Sequence, residues 1–308
     1  MRLDIGKDGI GSMLGIGLVL LALFLSLTGC PASTGNTPVK VVLIPADGGT
    51  ASGTLADFQP LFATLSESTG MTFDLSVTQS YSAAVEALCT GSADVAFVGP
   101  AAYLQAHQRG CADLLAVGVR GGKSLYYAGI FVPETSPLRT ISDLKGRSVA
   151  FGDLNSTSSF LMPVSMMIAA GVDPARDLAA VRLTGSHPNS LAALRAGEVD
   201  AAALSFDSFD RALRAGIPGV ENFRVLARSA PMPYPPFVVS TRLSPDRQDR
   251  LRKGFDKLSP RDLRGYAGRK LDSYTTTVEH TPFDELAAAL APVTAERKAA
   301  ILHRAGGR

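Results

Sequence analysis

The chain has no excess of charge of either sign. Across 308 residues, 30 Lys and Arg stand against 28 Asp and Glu, a formal net charge of +2, and the basic residues are scattered along the sequence. Nucleic-acid binding requires a basic stripe, so no nucleic-acid partner is expected. Histidine is scarce as well: the four present are dispersed, and no pair of ligand residues has metal-like spacing. No metal site and no cofactor are therefore expected. There is no Gly-x-Ser-x-Gly elbow of the kind that exposes a hydrolase nucleophile. What the chain has is apolar material, 46% hydrophobic against 19% charged. That is enough for the packed core of one large or two modest domains.

The long uncharged apolar run lies at the N-terminus, Leu14 to Ser26, preceded by Arg2 and Lys7. This is the layout of a secretory signal, and the run is short for a membrane span. It ends in Leu27-Thr28-Gly29-Cys30, which resembles the bacterial lipobox, where the thiol corresponding to Cys30 receives the lipid. Residues 1–29 are read as a lipoprotein signal peptide and residues 30–38, rich in Pro, Ser, Thr and Gly, as a flexible tether. The body is then extracytoplasmic and lipid-anchored to the bacterial cell membrane, at its periplasmic face or outer surface. Two cysteines remain, Cys89 and Cys111. In an oxidising compartment an even pair reads as a disulfide, with two buried free thiols as the alternative.

Along the mature chain, apolar strand-like runs at Val39 to Ile44, Thr72 to Val77 and Asp94 to Val98 alternate with helical periodicity at Leu55 to Ser68, Ser82 to Leu88 and after Pro100. Strands at Leu114 to Val119 and Tyr126 to Val132 follow. The pattern restarts at Ser136-Pro137 with strands at Ser148 to Phe151, Val181 to Leu183 and Val199 to Leu204, each leading into a helical stretch. Pro231 to Pro236 interrupts regular structure before a strand at Phe237 to Ser240. The expected fold is α/β, with two mostly parallel sheets in two lobes. Residues 39–135 and 236–308 form lobe 1, and residues 136–235 form lobe 2, joined by two hinge crossings near Ser136 and Pro235.

Ligands of open α/β sheets lie beyond the carboxyl ends of the strands, and clefts between lobes are favoured sites. The strand Ser148 to Phe151 delivers Asn155-Ser156-Thr157-Ser158-Ser159 to that end, as the turn into the next helix. The first backbone N–H groups of a helix lack intrahelical acceptors and attract anions. Hydroxyls beside them add uncharged donors. A single helix cap would explain one of these residues and leave the others unexplained.

Five segments together resemble the phosphate, phosphite and phosphonate binding-protein family of ABC importers. They are Tyr81 to Tyr103, Ile141 to Phe151, Asn155 to Ser158, Gly185-Ser186-His187, and Ala196 to Ala203. The resemblance covers nearly all of the chain after the tether. It implies a type II periplasmic-binding-protein fold whose lobes close on a small phosphorus oxyanion, an ABC permease as partner, a monomeric protein and no enzymatic activity. It assigns Ser156, Thr157 and Ser158 to the hydroxyl loop on the oxyanion and His187 to a position beside it. Tyr81 and Tyr126 become cleft tyrosines, with Tyr127 as the substitute for Tyr126 if the register slips. Asp207 falls at the acidic cleft position, although a helix cap accounts for it as well. In the cleft, Asp207 would accept a proton carried by the ligand and so favour a monoprotonated phosphite or alkylphosphonate over sulfate. Two features depart from the family pattern: Ser159 where a Gly is common, and no acid within Pro231 to Pro236, where aminoalkylphosphonate binders carry one. The alternatives are a carrier of another small anion or, in a different class, a hydrolase built on Ser156, His187 and Asp207.

Overall fold

The computed structural model describes residues 37–45, 50–263 and 271–306. The signal segment and Cys30 lie outside the described residues, as does all but the end of the tether.

The first lobe opens with β1 (Val39–Leu43), α1 (Ala51–Thr69), β2 (Phe73–Val77), α2 (Tyr81–Thr90), β3 (Val95–Phe97) and α3 (Pro100–Gln108). Local signals account for these bounds. Thr50 caps α1 by accepting from Gly53 N–H, and Gly70 ends it in the left-handed region at φ 65°. Ser80 and Gly91 do the same for α2. β4 (Ala112–Val119) follows, and a disulfide joins Cys89 at the end of α2 to Cys111 just before β4.

The chain then crosses through β5 (Leu125–Tyr126) into β6 (Ala128–Pro133). In the second lobe come β7 (Ser148–Phe151), a π-helical turn (Thr157–Leu161) running into α4 (Met162–Ala169), β8 (Ala180–Leu183), α5 (His187–Arg195), β9 (Ala201–Ser205), α6 (Phe206–Arg214) and β10 (Phe223–Arg228). It returns through β11 (Met232–Pro233) to β12 (Pro236–Ser240), α7 (Pro245–Asp256), β13 (Ser273–Thr275), α8 (Thr281–Leu290) and α9 (Ala295–Gly306).

The sheet of the first lobe has the order β13-β4-β12-β3-β1-β2, and that of the second β10-β6-β9-β7-β8. Each is mixed. Parallel centres, β2-β1-β3 and β8-β7-β9, are flanked by antiparallel strands. The first core is built on an aromatic cluster in which Phe97, Phe58 and Phe255 pack around Phe237 at centroid distances of 5.0–6.1 Å. In the second, Phe151 and Phe160 meet edge to face at 5.5 Å, which pins the π-helical turn against the end of β7.

Three expectations about lobe boundaries change. The first crossing lies at β5, about ten residues before Ser136, because β6 pairs with β9 and β10 of the second sheet. Ser136-Pro137 is a turn inside the second lobe. The proline-rich run is not wholly irregular either: Met232 and Pro233 pair with Tyr126 and Leu125, so the two crossings form one antiparallel ribbon. Finally, the C-terminal residues do not stay with the first lobe. Phe283 and Leu286 of α8 sit in the first core, whereas Ile301 of α9 is buried in the second. Arg304 of α9 donates to the carbonyls of Leu178 and Ala179, so the chain crosses a third time between α8 and α9.

Candidate functional site

Five helices aim their N-termini at the junction of the lobes. From the first lobe come α2, which starts at Tyr81 behind its Ser80 cap, and α3, which follows Gly99 with Pro100 in its first turn. From the second come the π-helical turn and α4 behind Ser156, α5 behind Ser186, and α6 behind Ser205. Each helix end carries roughly half a positive charge. Between them lies a cavity of about 30 Å³, far smaller than the several hundred Å³ of a drug-sized ligand site. Ile44, Tyr81, Phe97 and Gly99 line it from the first lobe, Tyr126 and Pro235 from the crossings, and Ser156, Thr157, Ser158, His187 and Ser205 from the second lobe. No Lys, Arg, Asp or Glu is among these described residues.

The four successive hydroxyls divide the work. Ser156 Oγ accepts from Ser159 N–H at 3.2 Å and from Ser159 Oγ–H at 2.7 Å, closing the turn on itself. Thr157 Oγ1 accepts from Ala101 N–H at 2.9 Å, a bond from the second lobe to the first turn of α3. Ser158 lines the cavity at 3% exposure. Ser159 packs back onto Gly152, where a Cβ would stand 2.2 Å from Ser159 Oγ. Glycine at 152 is thus what lets the hydroxyl turn fold against β7.

His187 is 4% exposed, and its Nδ1 accepts from Ser205 N–H at 3.1 Å. The neutral ring therefore carries its proton on Nε2, as an uncharged donor. Ser205, which sequence reasoning missed, caps α6: its Oγ accepts from Ser208 N–H at 3.1 Å. The signal that could have found it is a Ser directly after an apolar strand and before a helix.

The structure brings six of the seven predicted residues together: Tyr81, Tyr126, Ser156, Thr157, Ser158 and His187. It removes Asp207. That carboxylate lies in the first turn of α6 and pairs with Arg120 Nη1 at 2.9 Å, while Ser205 holds the place at the cavity. The expectation of an acid sharing the ligand's proton falls with it. Tyr127 is no substitute for Tyr126, since its ring stacks under the Arg228 guanidinium at 3.7 Å. Nor does a Ser/His/Asp relay assemble, because Asp207 is held by Arg120 and His187 Nδ1 is taken by a backbone amide.

The lobes meet around the cavity through further polar contacts. Asp153 accepts from Tyr81 N–H at 3.3 Å and from Asn155 N–H at 2.7 Å, and burial pushes its carboxyl above the usual range. Asn155 Nδ2 donates to Ser82 Oγ at 2.6 Å, and Lys298 of α9 donates to Asn155 Oδ1 at 2.5 Å. On α6, Arg211 makes a two-pronged pair with Asp57 of α1 at 2.6 and 2.9 Å. A larger cavity of about 280 Å³ lies between α5 and α6 on the far side of His187. Its walls are mainly apolar, and its two arginines are engaged elsewhere, Arg195 with Pro218 O and Arg211 with Asp57. The helix starts and the hydroxyl turn converge on the smaller one.

The profile of a family described as the periplasmic substrate-binding protein of a phosphonate ABC transporter matches residues 49–280. The chain belongs to this family. That family is one of periplasmic substrate-binding components of transporters, not a family of enzymes. The chain is 30% identical over 181 residues to the phosphate-import protein PhnD of Mycolicibacterium smegmatis, covering 55% of each. It thus spans about half the length of the curated relatives it matches. Its fold is similar to that of the binding protein component of an ABC phosphonate transporter from Pseudomonas aeruginosa, with a TM-score of 0.73 at 21% identity over 86% of this chain and 93% of that one. PhnD1 from Prochlorococcus marinus, solved in complex with methylphosphonate, superposes with a TM-score of 0.74 at 18% identity over 84% and 98%. These likenesses agree with the two-lobed type II fold of the family.

Proposed function

We propose that the protein captures a small phosphorus oxyanion, namely phosphate, phosphite or a phosphonate, between its lobes and delivers it to the permease of an ABC importer. The observation that carries this reading is the small cavity ringed by five helix N-termini and second-lobe hydroxyls, with no charged side chain among its described lining residues. Such a site favours a compact anion through aligned dipoles and neutral donors. In this reading Ser156, Thr157, Ser158, His187 and Ser205 donate to the oxyanion oxygens, and Tyr81 and Tyr126 close over it. The lipobox-like segment before Cys30 supports a lipid anchor, and the protein acts as a monomer.

A thermal-shift screen with phosphate, phosphite, methylphosphonate, aminoethylphosphonate and sulfate tests the reading. A ligand that binds only the folded form adds about 2.7 kcal/mol of stability at a hundredfold excess over Kd. Stabilisation by at least one phosphorus oxyanion is expected. No shift with any of them overturns the proposal. Replacing Cys30 with Ser should release the protein from membranes or leave it unprocessed, and normal lipid labelling of that variant would refute the anchor.

A further inference from the structure

The C-terminal helix reaches the hydroxyl turn from outside the cavity. Phe283 and Leu286 of α8 sit in the first core and Ile301 of α9 in the second, so the chain crosses within residues 291–294. The crossing is braced at both ends. Ser165 Oγ on α4 donates to Ala289 O at 2.6 Å, and Arg297 donates to Pro292 O at 3.1 Å. Lys298 comes next on α9.

Lys298 Nζ donates to Asn155 Oδ1 at 2.5 Å, and Asn155 Nδ2 donates across the lobes to Ser82 Oγ at 2.6 Å. An ammonium can only donate, so the carboxamide turns its oxygen to Lys298 and its NH2 to Ser82. Gln105 of α3 donates to the same oxygen at 3.4 Å. Two residues earlier, Asp153 accepts from Tyr81 N–H at 3.3 Å. Burial works against the charged forms of both Asp153 and Lys298, and the charge of each opposes that effect on the other. Both bonds to the first lobe land on the first turn of α2, one of the helix ends aimed at the cavity.

We propose that Lys298 is a positioning residue for the oxyanion site: from outside the cavity it holds Asn155 and Asp153 in the geometry that fastens the hydroxyl turn to the start of α2, and so slows release of the bound anion. This deepens the proposed function and rests on it. Among the described residues that line the cavity, Lys298 is absent. Contacts between the lobes must break before a ligand held between them can leave, whereas encounter precedes their formation. Their loss therefore shows in koff, as do most changes of affinity at one site. A cation acting only through its field would alter kon instead, and that effect would fade with salt.

The chain has no Trp, so tyrosine fluorescence, with Tyr81 and Tyr126 at the cavity, reports binding. Stopped-flow traces with phosphate, phosphite and methylphosphonate give both rates for each anion that binds the wild type. Lys298→Met keeps the apolar stem and removes the ammonium. Its koff should rise about tenfold, the lower end for a hydrogen bond to a charged group, with kon within about twofold. Lys298→Arg, which keeps the charge and the donors, should stay within about threefold of wild type. In a Ser82→Ala background, Lys298→Met should raise koff by only about threefold, because one of its two routes to α2 is already cut. An unchanged koff in Lys298→Met, a loss confined to kon, or an undiminished effect in the Ser82→Ala background overturns the inference and leaves the proposed function intact. Binding of none of the three anions by the wild type overturns both.

Discussion

The two walls of the cavity differ in kind. The second lobe contributes Ser156, Thr157, Ser158, His187 and Ser205, every one a hydroxyl or an imidazole at the start of a helix. The first lobe contributes Ile44, Phe97, Gly99 and Tyr81, which are apolar apart from one phenol. The second lobe supplies most of the polar side chains, and the first adds the starts of α2 and α3 and an apolar cover. In the proposed function, side-chain recognition then falls mainly to the second lobe.

The hardest blow to that division is Gly152→Ala. Its Cβ would stand 2.2 Å from Ser159 Oγ, so the hydroxyl turn must shift and carry Ser156 and Ser158 with it. Overpacking of this kind costs about 1–3 kcal/mol in stability. Two displaced hydrogen bonds to an anion should weaken binding by at least about a hundredfold. Calorimetry and thermal unfolding check both effects, and wild-type affinity would show that the turn is not the recognition element.

A sharper comparison takes one residue from each wall. Ser158→Ala should raise Kd by about ten- to a hundredfold, the value of a hydrogen bond to a charged group. Ile44→Val on the opposite wall removes only a methylene and should change Kd by less than about fivefold. Equal effects would erase the distinction between the walls.

Closure itself is probed by Arg211→Ala, which deletes the pair with Asp57 across the lobes. Both partners are partly exposed. The pair should be worth about 0.2–1 kcal/mol, or up to about fivefold in Kd, and the effect should shrink with added salt. A loss that does not respond to salt would mean that Arg211 acts through packing.

The smallest effect is expected at Asp153, which accepts from Tyr81 N–H where the walls meet. Burial raises its folded-state carboxyl above the ordinary value. Folding is therefore opposed while the group is ionised in both states. That opposition is relieved as pH falls through the folded value toward the unfolded one near about 3.9. Wild type should gain stability relative to Asp153→Asn over that interval, as a modest rise in relative melting temperature on acidification. A difference that stays flat or changes sign contradicts the account.

How far the sequence could be read varied from element to element. The strand and helix order followed from apolar periodicity and from caps such as Thr50, Ser80, Gly70 and Gly91, all of them interactions within a few residues. The hydroxyl turn was legible because a single cap could not explain so many adjacent hydroxyls. Asp207 lies two residues beyond the extended Ser205 cap, in the first turn of α6, where its carboxylate pairs with Arg120 while Ser205 is left at the cavity. The lobe boundary failed for a different reason: Ala128 to Pro133 reads as an apolar strand in either sheet, and only its pairing with β9 and β10 assigns it. The same holds for α9, whose Ile301 could have packed in either core.

The sequence by itself therefore determined what depends on near neighbours: the alternation of strands and helices, their caps, and the chemical identity of the hydroxyl turn and of His187. Tertiary structure alone decided which sheet took β6, which lobe took α9, and whether Ser205 or Asp207 faced the cavity. Those outcomes rest on contacts between residues far apart in the chain, such as Thr157 with Ala101 and Asp207 with Arg120, and no local pattern encodes them.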